Sequence, residues 1–239
     1  MSEYLFPLFP RLRRIRNATL AAFILGIAII SPAVVRAQYL HPRVSSKQTT
    51  IRNIIILPAK VNVFRDSMKG PEGMAAESEE LSLRVEKMLG EVLEKKNVKT
   101  LSSAVPASSD GDVQEKYTVA DIQAKFDDLL PKVMKKRKDV KQGRFSMGDE
   151  VLNLNLDKNA DAIVFIRGEG KKLTSGKTAF NLLVGGTKAY LKLMIGVVDA
   201  RTGEVLLYTD PILAGDPTSA VNRLRSALEK GFKKLPSAS

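Results

Sequence analysis

The 239-residue sequence contains no cysteine, no tryptophan and one histidine, His41. Without a thiol there is no disulfide framework, no thiolate zinc or iron–sulfur centre, no cysteine nucleophile and no lipid attachment through an amino-terminal cysteine. The lone imidazole stands beside Pro42 in a polar stretch, with no orienting partner in view, and is expected to be a tail residue rather than a general base. Acidic residues are also in deficit, 26 Asp+Glu against 38 Lys+Arg, for a formal charge of +12. What remains is a 44% hydrophobic chain, which excludes disorder throughout and at this length suits one domain.

The first 37 residues read as an export leader. Arg11, Arg13, Arg14 and Arg16 form a positive start, and Ala18 to Ile30 (ATLAAFILGIAII) an apolar stretch of secretory length. Val35-Arg36-Ala37 suits a signal peptidase, so cleavage is expected between Ala37 and Gln38. The alternative is an uncleaved inner-membrane anchor through residues 18–35, short for a span. The leader carries five Arg against Glu3, net +4, which leaves +8 on the mature chain. Excess charge is therefore weaker evidence for nucleic acid than the total suggests.

Beyond the leader, residues 38–50 are expected to be a flexible lead-in, 51–235 a single α/β domain and 236–239 a tail. Asn53 to Pro58 (NIIILP) and Ala162 to Ile166 (AIVFI) are β-branched runs of the kind buried on both faces of a sheet. Residues 59–73 are expected to loop. Leu81, Val85, Met88, Leu89 and Val92 share one helical face, with acidic residues first and Lys95-Lys96 last, as the helix dipole favours. Val98 to Leu101 is a short strand. Thr118 would cap a second helix bearing Val119, Ile122, Phe126 and Leu129, with Pro131 either kinking it or starting a new helical segment. Lys188 to Val197 alternates as a strand, Asp199 to Gly203 turns, Glu204 to Tyr208 returns, and a last helix capped near Asp216 carries Val221, Leu224 and Leu228. The expected order is β-α-β-α-β-β-β-α, an α/β (α+β) fold with a mixed sheet of about five strands under helices.

Motifs for chemistry are thin. Ser175-Gly176-Lys177-Thr178 resembles the end of a phosphate-binding loop, but Lys171 stands where that loop needs its first Gly, and the following AFNLLVGGTKAY reads as β-like, with no helix terminus to hold phosphate. Asp110 and Asp112 open like a calcium loop that Glu115 interrupts. Asp161, Glu169, Asp199, Glu204 and Asp210 gather at strand ends, each with a local structural duty. No cofactor, metal or catalytic set is expected.

Two surfaces could meet a partner. Lys135, Lys136, Arg137, Lys138 and Lys141 form a basic patch fit for anionic lipid or a cell-wall polymer, with only Phe145 nearby as a stacking platform for nucleic acid, which is not expected as a partner. Residues 168–187 form a long Gly-rich connection, or a hairpin extending its flanking strands. Lys171, Lys172, Lys177, Phe180, Leu182 and Leu183 are its candidate contacts with a protein partner, a sister subunit or a membrane.

The strand IIILP, the segment NADAIVFIRGEG, the strand LKLMIGVVDA and the turn RTGEVLLYTDPI together resemble exported bacterial α/β domains of the CsgG, TolB amino-terminal and LpoB type, over Ile51 to Leu235. The resemblance implies non-enzymatic work at the bacterial envelope, as secretion accessory, scaffold or regulator of a partner, in the periplasm and with homo-oligomers possible. Many such proteins are lipoproteins; a chain without cysteine departs from them there. The rival readings are a hydrolase or transferase using strand-end carboxylates, and a binder of anionic envelope polymers.

Overall fold

The computed structural model describes residues 34–101, 119–135, 137–148, 151, 157–219 and 221–238. Its elements are β1 (Val34–Leu40), α1 (Pro42–Ser45), β2 (Asn53–Ile56), β3 (Lys60–Ser67), β4 (Gly70–Gly73), α2 (Ala75–Glu94), β5 (Lys99–Leu101), α3 (Val119–Lys135), α4 (Arg137–Lys141), β6 (Ala162–Leu173), α5 (Ser175–Val184), β7 (Tyr190–Asp199), β8 (Val205–Ala214) and α6 (Val221–Gly231). The expected α/β class holds, with a mixed sheet of eight strands among the described residues rather than about five. Its main path runs β1-β8-β7-β6-β2-β5. β2 lies parallel to β5 and β6, whereas β6, β7, β8 and β1 follow one another antiparallel.

β6 organises the sheet because it is longer than any one neighbour on its parallel edge. Its first residues pair with β2, Ile54 opposite Ala162 and Ile56 opposite Val164, and the rest with β3, Lys60 opposite Arg167 through Asp66 opposite Leu173. Leu57, Pro58 and Ala59 therefore span the distance of Phe165 and Ile166, a one-residue bulge containing the proline that a regular ladder would exclude.

Side-chain alternation divides the core. Ile54, Val61, Val63, Ala162, Val164, Ile166, Leu193 and Ile195 face one way, and α2 and α6 cover them with Leu81, Val85, Leu89, Leu224 and Leu228. Ile55, Ile163, Phe165, Val198 and Tyr208 face the other way, under Ile122, Phe126, Leu130 and Val133 of α3. Phe126 stacks on Phe165 with ring centroids 4.8 Å apart. Its ring also lies against Gly196, where an added Cβ would meet its Cε2 at 2.6 Å. Arg167, buried where α3 crosses β6, binds the Asp127 carboxylate and donates to the Gln123 carbonyl at 3.1 Å, fixing that helix across the sheet.

Several expectations change. Residues 59–73 form the β3–β4 hairpin, not a loop; Val61 and Val63 point into the core while Lys60, Asn62 and Phe64 are exposed, an alternation diluted by its polar half. Ahead of its pairing with β4, the outer edge of β3 is closed by α2. Ser78 and Ser82 accept the N–H groups of Val63 and Val61 at 2.9 and 3.0 Å, and Glu86 accepts that of Ala59 at 2.5 Å. Spacing of four residues puts these acceptors on one side of the helix.

Residues 38–50, expected to be flexible, complete β1 and form α1. Tyr39 pairs with Tyr208 and Leu40 with Leu207, and Val44 is buried. The helix over Val119–Lys135 runs through Pro131. β8 extends to Ala214, and Asp216 binds the Thr218 N–H at 2.8 Å in a turn that precedes α6. The expected tail packs back, with Ala238 buried and its N–H bonded to the Lys96 carbonyl at 2.9 Å. Thr118, the Asp110 loop, Lys136 and most of 149–156 lie outside the described residues.

Candidate docking surface

The segment 168–187 is neither an open connection nor a hairpin. Its first part continues β6 to Leu173, and its apolar centre is the helix α5. Thr174 caps the helix by accepting the Lys177 N–H at 3.3 Å, and Gly185 closes it in the left-handed conformation at φ 70°. Asn181 then donates to the Thr187 carbonyl at 2.7 Å and fixes the return to β7. A single residue joins β6 to α5, and its N–H bonds the Asp66 carbonyl at 3.2 Å.

α5 buries none of its ten residues. Phe180, Leu182, Leu183 and Val184 are 44, 75, 86 and 60% exposed. Isolated surface leucines are ordinary, but this contiguous apolar group has no counterpart to cover it among the described residues. Met68, at the tip of the β3–β4 hairpin, is 63% exposed at the same end of the sheet. Between α5 and the 186–189 return lies a groove of about 380 Å³ lined by Leu173, Thr178, Asn181, Leu182 and Thr187.

The lysines expected to contact a partner divide differently from the apolar residues. Lys171 pairs with Asp66 at 2.7 Å, and Lys177 approaches the same carboxylate at 3.9 Å. The hydrogen bond from Lys171 holds Asp66 below the usual carboxylate range. Lys172, on the opposite face of β6, reaches Glu77 at 2.9 Å and Asp216 at 3.7 Å. Burial pushes the Asp216 carboxyl up, but bonds from Thr218 and the charge of Lys172 leave it lowered. These three lysines brace the base of α5, and Phe180, Leu182 and Leu183 are the residues it presents.

Beyond Arg167 along β6, Phe64, Glu169, Lys171 and Tyr190 surround a shallow depression of about 270 Å³. The Tyr190 hydroxyl donates to Glu169, and that bond pushes the phenol up to about 12. A phenol so held is not a base at neutral pH.

The other strand-end carboxylates are occupied structurally. Asp161 accepts the N–H groups of Arg52 and Asn53 at 2.9 and 3.0 Å, and Asp199 those of Arg201 and Thr202 at 2.8 and 3.0 Å. Glu204 binds Arg43. No cluster of three metal-binding side chains occurs among the described residues. Ser175 to Thr178 does open a helix, against expectation. Because β6 reaches Leu173, no loop is left to wrap a phosphate, and the Lys177 N–H is already taken.

His41 is also corrected. It is buried, and its Nδ1 accepts the Arg43 N–H at 3.1 Å at the start of α1. Burial, then the Arg43 charge, lowers its pKa from 6.5. Of the basic patch, Lys135, Lys138 and Lys141 are exposed at the end of α3 and on α4, Arg137 belongs to α4, and Lys141 lies 5.6 Å over the Tyr39 ring. Among the described residues no helix is long and apolar enough to cross a membrane.

No family model matches the chain, and no curated protein is similar to it in sequence. Among solved structures, it is similar to the PelC dodecamer from Paraburkholderia phytofirmans at 12% identity and TM-score 0.42, over 87% of this chain and 99% of that one. It is similar to the lipoprotein GNA1162 from Neisseria meningitidis at 10% identity and TM-score 0.33, over 76% of this chain and 96% of that one.

Proposed function

We propose that the chain is an exported binding and assembly module of the bacterial envelope, which acts by presenting α5 to a protein partner and not by catalysing a reaction. The observation that carries this reading is an apolar helix with no buried residue, fixed at both ends by hydrogen bonds and braced by three ion-paired lysines. A helix that buries none of its residues among the described residues gains little from folding, so its order comes from its caps and its apolar surface is left for association. The strand-end carboxylates Asp161, Glu169, Asp199 and Glu204 support the same reading, because they are engaged in turn, hydrogen-bond or ion-pair geometry. The leader and the resemblance to CsgG, TolB and LpoB-type domains support the envelope setting.

A photo-crosslinking side chain in place of Leu183, in intact cells, tests the proposal. The expected result is a discrete protein adduct, another copy or a different protein, that disappears with Leu182→Asp and survives high salt. Lipid adducts alone would overturn it. An interaction lost at modest salt and dependent on Lys135, Lys138 and Lys141 would favour the polyanion binder.

A further inference from the structure

Resting on the amino-terminal segment as an export leader, but not on the role of α5, we infer that processing falls between Ala33 and Val34 rather than after Ala37. The sequence offers both. Ser31-Pro32-Ala33 places small residues at the two positions a signal peptidase inspects as well as Val35-Arg36-Ala37 does, and it directly follows the apolar stretch ending at Ile30.

The fold discriminates between them. β1 begins at Val34, and Val34, Val35 and Arg36 pair with Ile212, Pro211 and Asp210 of β8. A cut after Ala37 would delete four of the seven residues of that strand. It would bare the outer edge of β8 over Asp210–Ile212, the kind of free edge that recruits other strands. It would also remove Arg36, the backbone register partner of Asp210.

A cut after Ala33 keeps the whole strand. Water would divide the Ala33–Val34 amide into a carboxylate on the leader and an ammonium on Val34. The new terminus would emerge opposite Ile212, at the same end of the sheet as Tyr190 and α5.

The test is the amino terminus of the full chain exported from a Gram-negative host, read by stepwise sequencing and intact mass. The expected sequence starts Val34-Val35-Arg36. A start at Gln38 would overturn the position and leave export standing, whereas only the full-length precursor would overturn both the position and the leader. Two variants give an independent reading: Ala33→Glu is expected to accumulate precursor and Ala37→Glu to be processed normally, and the reverse pattern would overturn the inference. Failure of the α5 reading changes none of these results.

Discussion

The Ser82 hydroxyl oxygen accepts the Val61 N–H at 3.0 Å and thereby closes a strand edge with a helix side chain. Ser82 in turn donates to the Ser78 carbonyl at 2.7 Å, so one hydroxyl serves helix and sheet together. Replacing it with alanine leaves the amide of a buried residue without its acceptor. Ser82→Ala is expected to cost about 1–2 kcal/mol, measured by urea unfolding. A loss below about 0.3 kcal/mol would mean water replaces the hydroxyl without cost.

Phe126 requires the absence of a side chain at 196. Gly196→Ala is expected to destabilise by about 1–3 kcal/mol through overpacking. Phe126→Leu should return part of that loss when combined with it, so a double-mutant cycle should yield a coupling of about 0.5 kcal/mol or more. Additive effects would show that the two residues do not press on one another.

His41 imposes a pH dependence. Its folded pKa is depressed below 6.5, so the unfolded chain binds the proton more readily. Its contribution is complete above pH 6.5 and is lost as pH falls from there through the lower folded value. His41→Asn keeps a capping acceptor and should flatten that part of the stability profile. An unchanged slope would assign it to other groups.

Leu182 and Leu183 should behave unlike core leucines. Leu182→Asp and Leu183→Asp are expected to leave unfolding free energy within about 0.5 kcal/mol of the parent while abolishing association in the crosslinking assay. Leu89→Ala, in the core under α2, should instead cost about 2–5 kcal/mol. A large stability loss at Leu183 would show that the residue packs within its own chain.

The parts legible in sequence are those whose pattern is reinforced on both sides of the chain. NIIIL and AIVFI have no polar face, and α2 buries Leu81, Val85, Met88, Leu89 and Val92 on one stripe, so their periods stand out. β3 was hidden because Lys60, Asn62 and Phe64 look into solvent. β1 is hidden because Val35-Arg36-Ala37 has the residue pattern of a peptidase site, so the same stretch reads as leader in sequence and as strand in the fold. α5 was the hardest to see: helical periodicity records which face is buried, and this helix buries none. The exposed residues Phe180, Leu182 and Leu183, the proposed contacts, are readable as apolar residues in a polar neighbourhood, but the ion pairing of Lys171, Lys172 and Lys177 is not. Their partners Asp66, Glu77 and Asp216 come from three distant segments.

β6 is hydrogen-bonded along both edges and passes into α5 through Thr174 alone. A load pulling on α5 along the strand would therefore be borne in shear by many bonds at once, not peeled from one end a pair at a time. Whatever α5 holds is coupled to the centre of the sheet without a slack linker, which makes the domain mechanically a stiff bracket.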